Sequence, residues 1–123
     1  MRVVDSSAWL EYFADGANAG CFAEAIEAPE KQLVPVITLY EVFKRLSAMR
    51  GESAALQAVA LMQQGTVVDV SVSISLSAAR LSLQHQLPMA DSIILATARA
   101  YDAELWTQDA DFAAFEGVHY YAK

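Results

Sequence analysis

Apolar residues follow two alternating patterns along the chain. Short apolar runs, mostly β-branched, occupy residues 2–5, 33–36, 66–70, 105–107 and 118–121, and predict strands. Between them apolar positions recur every three or four places, predicting helices over 7–13, 20–27, 39–49, 53–64, 73–85 and 88–103. Breakers fall between these segments: Asp15-Gly16, Pro29, Gly51 and Gly65. Pro35 lacks a ladder donor, so the second strand is expected to end there or lie at an edge. Residues 71–77 alternate Ser with Val, Ile and Leu in a strand-like way, inside a segment assigned to helix. Strands alternating with helices predict the α/β class, a parallel sheet covered by helices on both faces. Residues 1–123 are expected to form one domain, with no linker, repeat or low-complexity tract.

Composition narrows the picture. With 55% hydrophobic and 19% charged residues the chain has the makings of a core, which excludes intrinsic disorder. Cys21 has no partner for a disulfide, no apolar run approaches the length of a membrane span, and Asp5 interrupts the apolar start as no signal peptide would. A reducing cytoplasm is the expected setting, with no membrane partner.

The net charge of −7 argues against a protein that coats nucleic acid. Its distribution is uneven, because residues 31–50 hold Lys31, Lys44, Arg45 and Arg50 against Glu41 alone. Lys44, Arg45 and Arg50 read either as a solvated helix face or as a phosphate-steering patch beside an acidic site.

Ligands of open parallel sheets bind beyond the carboxyl ends of the strands. Asp5 ends the first strand, Glu41 lies one turn into the helix after the second, Asp91 sits in the first turn of the helix opened by Pro88, and Asp109 follows residues 105–107. Each has a local alternative. Asp5 suits a helix cap, Thr38 and Glu41 form a capping box, Asp91 opposes a helix dipole, and Asp109 suits a turn, with Asp111 capping a short helix near 112–115. Together these alternatives are strained. The helix after Asp91 is apolar on nearly every side, and the bases are too few and too clustered to pair with four acids. Converging carboxylates raise one another's pKa, and a hard cation such as Mg²⁺ or Mn²⁺ relieves the repulsion. Cys21, His85 and His119 lack zinc-ligand spacing, so both histidines read as ordinary polar residues.

The segments carrying these acids resemble a PIN domain, specifically the VapC-type toxin ribonucleases. Val3-Val4-Asp5-Ser6-Ser7-Ala8-Trp9 is similar to the family's opening strand and first acid, and Thr38-Leu39-Tyr40-Glu41-Val42 to its second acidic motif. Residues 89–98, beginning Met89-Ala90-Asp91-Ser92, resemble the third, and 105–112, containing Trp106-Thr107-Gln108-Asp109-Ala110-Asp111, the fourth. All four stand in order across nearly the whole chain. The resemblance implies a three-layer α/β/α sandwich with a central parallel sheet of about five strands ordered 3-2-1-4-5. It further implies an endoribonuclease dependent on Mg²⁺ or Mn²⁺, RNA as substrate, a homodimer, and inhibition by a cognate antitoxin. Asp5, Glu41, Asp91 and Asp109 carry over as the metal-ligating, catalytic acids. Ser6 and Thr107 carry over as supporting groups, and Asp111 as an acid often present.

One or two metal ions among the four acids would supply hydroxide for in-line attack on an RNA phosphodiester, leaving a 5′-phosphate and a 3′-hydroxyl. Lys44 and Arg45, three and four places after Glu41, share its helix side and read as RNA phosphate contacts; an ordinary Glu41–Arg45 helix pair is the alternative. Trp9, Tyr12, Phe13 and Phe22 crowd two short helices, and part of that set is expected to line an antitoxin groove. Other α/β chemistries lack their residues. A haloacid-dehalogenase-type phosphatase needs an Asp where Ser7 stands, a receiver domain needs an acid beyond its third strand and a Lys beyond its fifth, and a serine hydrolase needs a Gly-x-Ser-x-Gly elbow. A PIN-like fold kept as an inactive binding module stays open.

Overall fold

The computed structural model describes residues 1–123. Its elements run β1 (Arg2–Val4), α1 (Ser6–Phe13), α2 (Ala19–Ile26), β2 (Leu33–Pro35), α3 (Val36–Arg50), α4 (Glu52–Met62), β3 (Thr66–Val68), α5 (Val72–His85), α6 (Met89–Ala100), β4 (Glu104–Thr107) and β5 (Val118–Tyr120). Short 3₁₀ turns occupy Pro29–Lys31 and Ala110–Phe112.

All strand pairs are parallel: β1 with β4, β4 with β5, and β2 with β3. A single bridge between Arg2 and Gln32 joins the two groups, giving the order β3-β2-β1-β4-β5. Beside that bridge the Gln32 side chain is buried and donates to the Ala25 and Ile26 carbonyls, both at 2.7 Å, which ties the end of α2 to the sheet. Gly65 leads into β3 where a Cβ would stand 3.0 Å from both Gln32 Cβ and Val34 Cγ2, so a larger residue would push the strands apart.

The pleat sorts side chains by parity. Val3, Leu33 and Leu105 face a core built with α5 and α6, including Ile74, Leu81, Ile94 and Leu95. Val4, Val34 and Trp106 face a second core with α1 to α4, including Trp9, Phe22, Val42 and Met62. The result is the expected α/β/α sandwich with helices on both faces.

Several local expectations are corrected. Helix α3 begins at Val36 rather than after Thr38, with Pro35 as its N-cap. Strand β2 is buried and lies inside the sheet, so Pro35 marks its end and not an edge. Strand β3 stops at Val68, and α6 stops at Ala100, where a turn places Asp102 at φ 52°. Ser71 caps α5 by accepting from the Ile74 amide, which settles the Ser-alternating stretch as helix. No helix is long and apolar enough to cross a membrane.

Candidate metal centre

Parallel strands put their carboxyl ends on one rim, and Asp5, Glu41, Asp91, Asp109 and Asp111 gather around it. Asp5 is the first residue past β1. It is 2% exposed and serves as N-cap of α1, accepting from the Ala8 amide at 3.0 Å. Ser7 Oγ donates toward both of its oxygens at 2.9 and 3.0 Å, and Thr107 Oγ1 donates to Oδ2 at 2.8 Å. Burial pushes the Asp5 carboxyl up to about 6, against the hydrogen bonds from Thr107, Ala8 and Ser7 that favour its charged form.

Thr107, buried at the end of β4, also accepts from the Asp109 amide at 2.8 Å, so one hydroxyl positions two of the acids. Asp109 in turn accepts from the Asp111 amide at 2.9 Å, the bond that caps the Ala110–Phe112 turn. Asp91 lies half-buried in the first turn of α6. Asp91, Asp109 and Asp111 each offer an oxygen lying within 4.8 Å of the other two. Burial raises the Asp91 carboxyl to about 7, and the charges of Asp109, Asp5, Glu41 and Asp111 push the same way. Glu41, half-buried on α3, accepts from Ser6 Oγ at 2.6 Å.

The tightest group is therefore Asp91, Asp109 and Asp111. Asp5 connects to it through Thr107, and Glu41 stands near enough to act on Asp91 by its charge. The capping box does not form: Thr38 lies inside α3 and its hydroxyl donates to the Pro35 carbonyl. The Glu41–Arg45 pair is absent too, since the two ion pairs of the chain are Arg2–Glu24 and Glu104–His119. Asp5 is a helix cap and a rim acid at once, and Asp109, not Asp111, caps the turn. The sequence did not single out Ser7 as an Asp5 partner; its place two residues after a helix-capping acid was the available signal.

No Lys or Arg pairs with any of the five acids. Carboxylate oxygens crowded without a counter-charge are the donor set of a hard divalent cation, so the residues present fit Mg²⁺ or Mn²⁺. His119 pairs with Glu104 at 3.1 Å and His85 packs edge-on against Phe115, each away from this group.

Lys44 and Arg45 line, with Ser6, Leu10, Tyr40 and Glu41, a cavity of about 360 Å³ that opens beside the rim. Lys44 Nζ sits 5.7 Å from the Tyr40 ring centre. Of the four early aromatics, Trp9 and Phe22 are core, at 1% and 0% exposure, because α1 and α2 press them onto the second core. Tyr12 and Phe13 are half-buried, and Tyr12 Oη donates to Glu27 Oε2 at 3.0 Å.

A toxin–antitoxin complex from Klebsiella pneumoniae contains a chain of 26% identity that matches over 100% of both chains with a TM-score of 0.83. VapC20 of Mycobacterium tuberculosis, described as a sarcin–ricin loop cleaving toxin, has 22% identity over 93% of this chain and 94% of its own, with a TM-score of 0.78. VapBC2 from Rickettsia felis, bound to a DNA fragment from its promoter, has 12% identity over 98% of this chain and 97% of its own, with a TM-score of 0.75. No curated protein sequence matches the chain. The PIN domain model matches residues 2–118, and with that match the chain belongs to the PIN domain family.

Proposed function

We propose that this protein is a metal-dependent endoribonuclease, the toxin of a toxin–antitoxin pair acting in the cytoplasm. One observation carries the reading: Asp91, Asp109 and Asp111 crowd their oxygens within 4.8 Å at the sheet's carboxyl rim with no basic partner. Membership of the PIN family and likeness to a toxin–antitoxin complex support the nuclease and the antitoxin partner.

Asp91, Asp109 and Asp111, with Asp5 and Glu41 beside them, would hold Mg²⁺ or Mn²⁺. Bound there, the cation supplies hydroxide near neutral pH and offsets charge on the phosphate under attack. The rest is positioning by the chain. Thr107 holds Asp5 and the backbone of Asp109 in one arrangement, Ser7 holds both Asp5 oxygens, and Ser6 fixes Glu41. Asp91 keeps its proton up to about pH 7, so metal loading requires that proton to leave and weakens in acid. Lys44 and Arg45, which line the cavity beside the rim, would meet RNA phosphates. The same reading includes a homodimer, which light scattering tests.

The experiment is RNA cleavage by the purified chain, free of any partner, with Mg²⁺ or Mn²⁺. Chelation with EDTA is expected to abolish cleavage, and Asp91→Asn and Asp5→Asn each to lower it at least about 100-fold, beyond the loss typical of outer-shell substitutions. Cleavage that survives both EDTA and Asp91→Asn overturns the reading.

A further inference from the structure

A cleft between α1 and α3 adjoins the acidic rim. Its first cavity is lined by Ser6, Glu41, Lys44 and Arg45, and its second by Arg45, Arg50 and Lys123. Two cavities of about 360 and 270 Å³ share Leu10 and Arg45 as walls, so they adjoin. The second also touches Ser7 and Gln108, chain neighbours of Ser6 and Asp109. Glu41 and Arg50 stand nine residues apart on α3, about 13.5 Å of helix at 1.5 Å per residue.

Four of the eight Lys and Arg residues stand on this cleft, and none of the four pairs with a carboxylate although the chain has fifteen acids. Arg50 is held in place by donating to the Phe13 carbonyl at 3.0 Å, which leaves its other N–H groups available. The one acid in the second cavity, Glu11, already accepts from the Asn18 amide at 2.9 Å. In the first cavity Tyr40 is 59% exposed and offers an aromatic face of the kind on which an unpaired base stacks.

We propose that this cleft is the track of a single RNA strand, with its phosphates on Arg45, Arg50 and Lys123 and a base against Tyr40 at the entrance to the acidic rim. Cations without acidic partners, beside a group of carboxylates, suit a polyanion gripped along its length and presented at one point. The identity of the strand rests on the ribonuclease reading, but the test does not need cleavage.

Binding of a short labelled single-stranded RNA, read by fluorescence anisotropy in EDTA over a range of salt, measures the track directly. The logarithm of affinity is expected to fall with the logarithm of salt at a slope of about −2 to −3, since each phosphate contact on a single strand contributes about −0.7. Arg45→Ala and Lys123→Ala are each expected to flatten that slope by about 0.7 and weaken binding, while Arg80→Ala and Arg99→Ala, in the separate groove between α5 and α6, leave it unchanged. Lys123 lies outside every helix and strand, so its loss tests the track without testing folding. Unchanged slopes in Arg45→Ala and Lys123→Ala overturn the proposal, as does absence of binding at low salt. Displacement of the RNA by polyglutamate at equal charge concentration assigns the cleft to acidic peptides and overturns it as well. Asp91→Asn separates the two hypotheses. If it abolishes cleavage while the slopes ignore Arg45 and Lys123, the track alone fails; if it cleaves like the wild type while the slopes respond, the ribonuclease reading alone fails.

Discussion

The two ends of the sheet handle charge in opposite ways. At the amino end, Arg2 on β1 pairs with Glu24 at 3.6 Å and lies 5.5 Å from the Trp106 ring centre. Glu104, which opens β4, pairs with His119 at 3.1 Å, and that hydrogen bond holds the Glu104 carboxyl below its usual range. His119 stacks on Trp106 with ring centres 4.5 Å apart. At the carboxyl end the same two strands deliver Asp5 and Asp109, and the acids gathered with them find hydroxyls and amides but no cation. There the carboxyls are pushed up, Asp5 to about 6 and Asp91 to about 7. The fold thus pairs acids at the amino end and leaves them unpaired at the rim where α/β proteins bind ligands. Crowding of this kind stores repulsion that a divalent cation relieves.

Thr107 is where that rim is most exposed to a single change. Its hydroxyl donates to Asp5 Oδ2 and accepts from the Asp109 amide, and the residue is fully buried. Thr107→Val keeps the β-branched shape of the strand and removes both bonds. RNA cleavage is expected to fall about 10–100-fold, the usual loss when a group that orients metal ligands is removed. Stability is expected to fall by about 1–3 kcal/mol through the unsatisfied partners. Full activity in Thr107→Val, measured with saturating Mn²⁺, would show that the acids do not depend on that hydroxyl for their arrangement.

Much of the paired-strand architecture and the rim acids was legible from the residues, because strand-end acids and β-branched runs are local signals. What was hidden depended on contacts across the chain. Thr38 and Glu41 match a capping box by spacing, yet Pro35 starts α3 earlier, Thr38 turns to the Pro35 carbonyl, and Glu41 is claimed by Ser6 from another helix. Pro35 suggested a strand end or an edge, and it proves to be the last residue of β2, an interior strand. Asp111 looked peripheral because nothing local shows that the turn capped by Asp109 brings it beside Asp91, twenty residues away. Trp9, Tyr12, Phe13 and Phe22 looked too many for two short helices to hide; the second core takes in Trp9 and Phe22 and leaves Tyr12 and Phe13 half-buried.

Titration offers a second way to sharpen the comparison. Asp91 and Asp5 hold protons more tightly in the folded chain than their ordinary value of 3.8 allows when unfolded. Their contribution to stability is therefore full below that value and is lost as pH rises through about 6 and about 7. In EDTA the melting temperature is expected to decline between about pH 4 and about pH 7, and Asp91→Asn to flatten the decline and raise the melting temperature at the upper end. Mg²⁺ is expected to restore the wild type at the upper end and to do little at the lower, where the ligands are protonated. Parallel melting curves for wild type and Asp91→Asn would mean that burial and the neighbouring acids do not raise the Asp91 carboxyl.

The smallest effect belongs to the opposite end, and its sign is what matters. Glu104 has its carboxyl held down by His119, so its contribution is present above the ordinary value of 4.5 and is lost as pH falls through the lower folded value. Both side chains are substantially exposed, 40% and 50%, so solvent screens the pair. Glu104→Gln is expected to destabilise the chain by about 0.2–1 kcal/mol at neutral pH, as exposed pairs do, and to leave RNA cleavage unchanged. Asp91→Asn in EDTA is expected to stabilise at the same pH. Glu104→Gln removes a negative charge from a chain of net charge −7, and Asp91→Asn removes part of one because Asp91 titrates near 7, so general relief of self-repulsion pushes both the same way. Thermal melts of the two variants side by side in EDTA cancel that common effect: opposite signs place the difference in local pairing, whereas two stabilised variants would reduce the contrast between the ends of the sheet to overall charge.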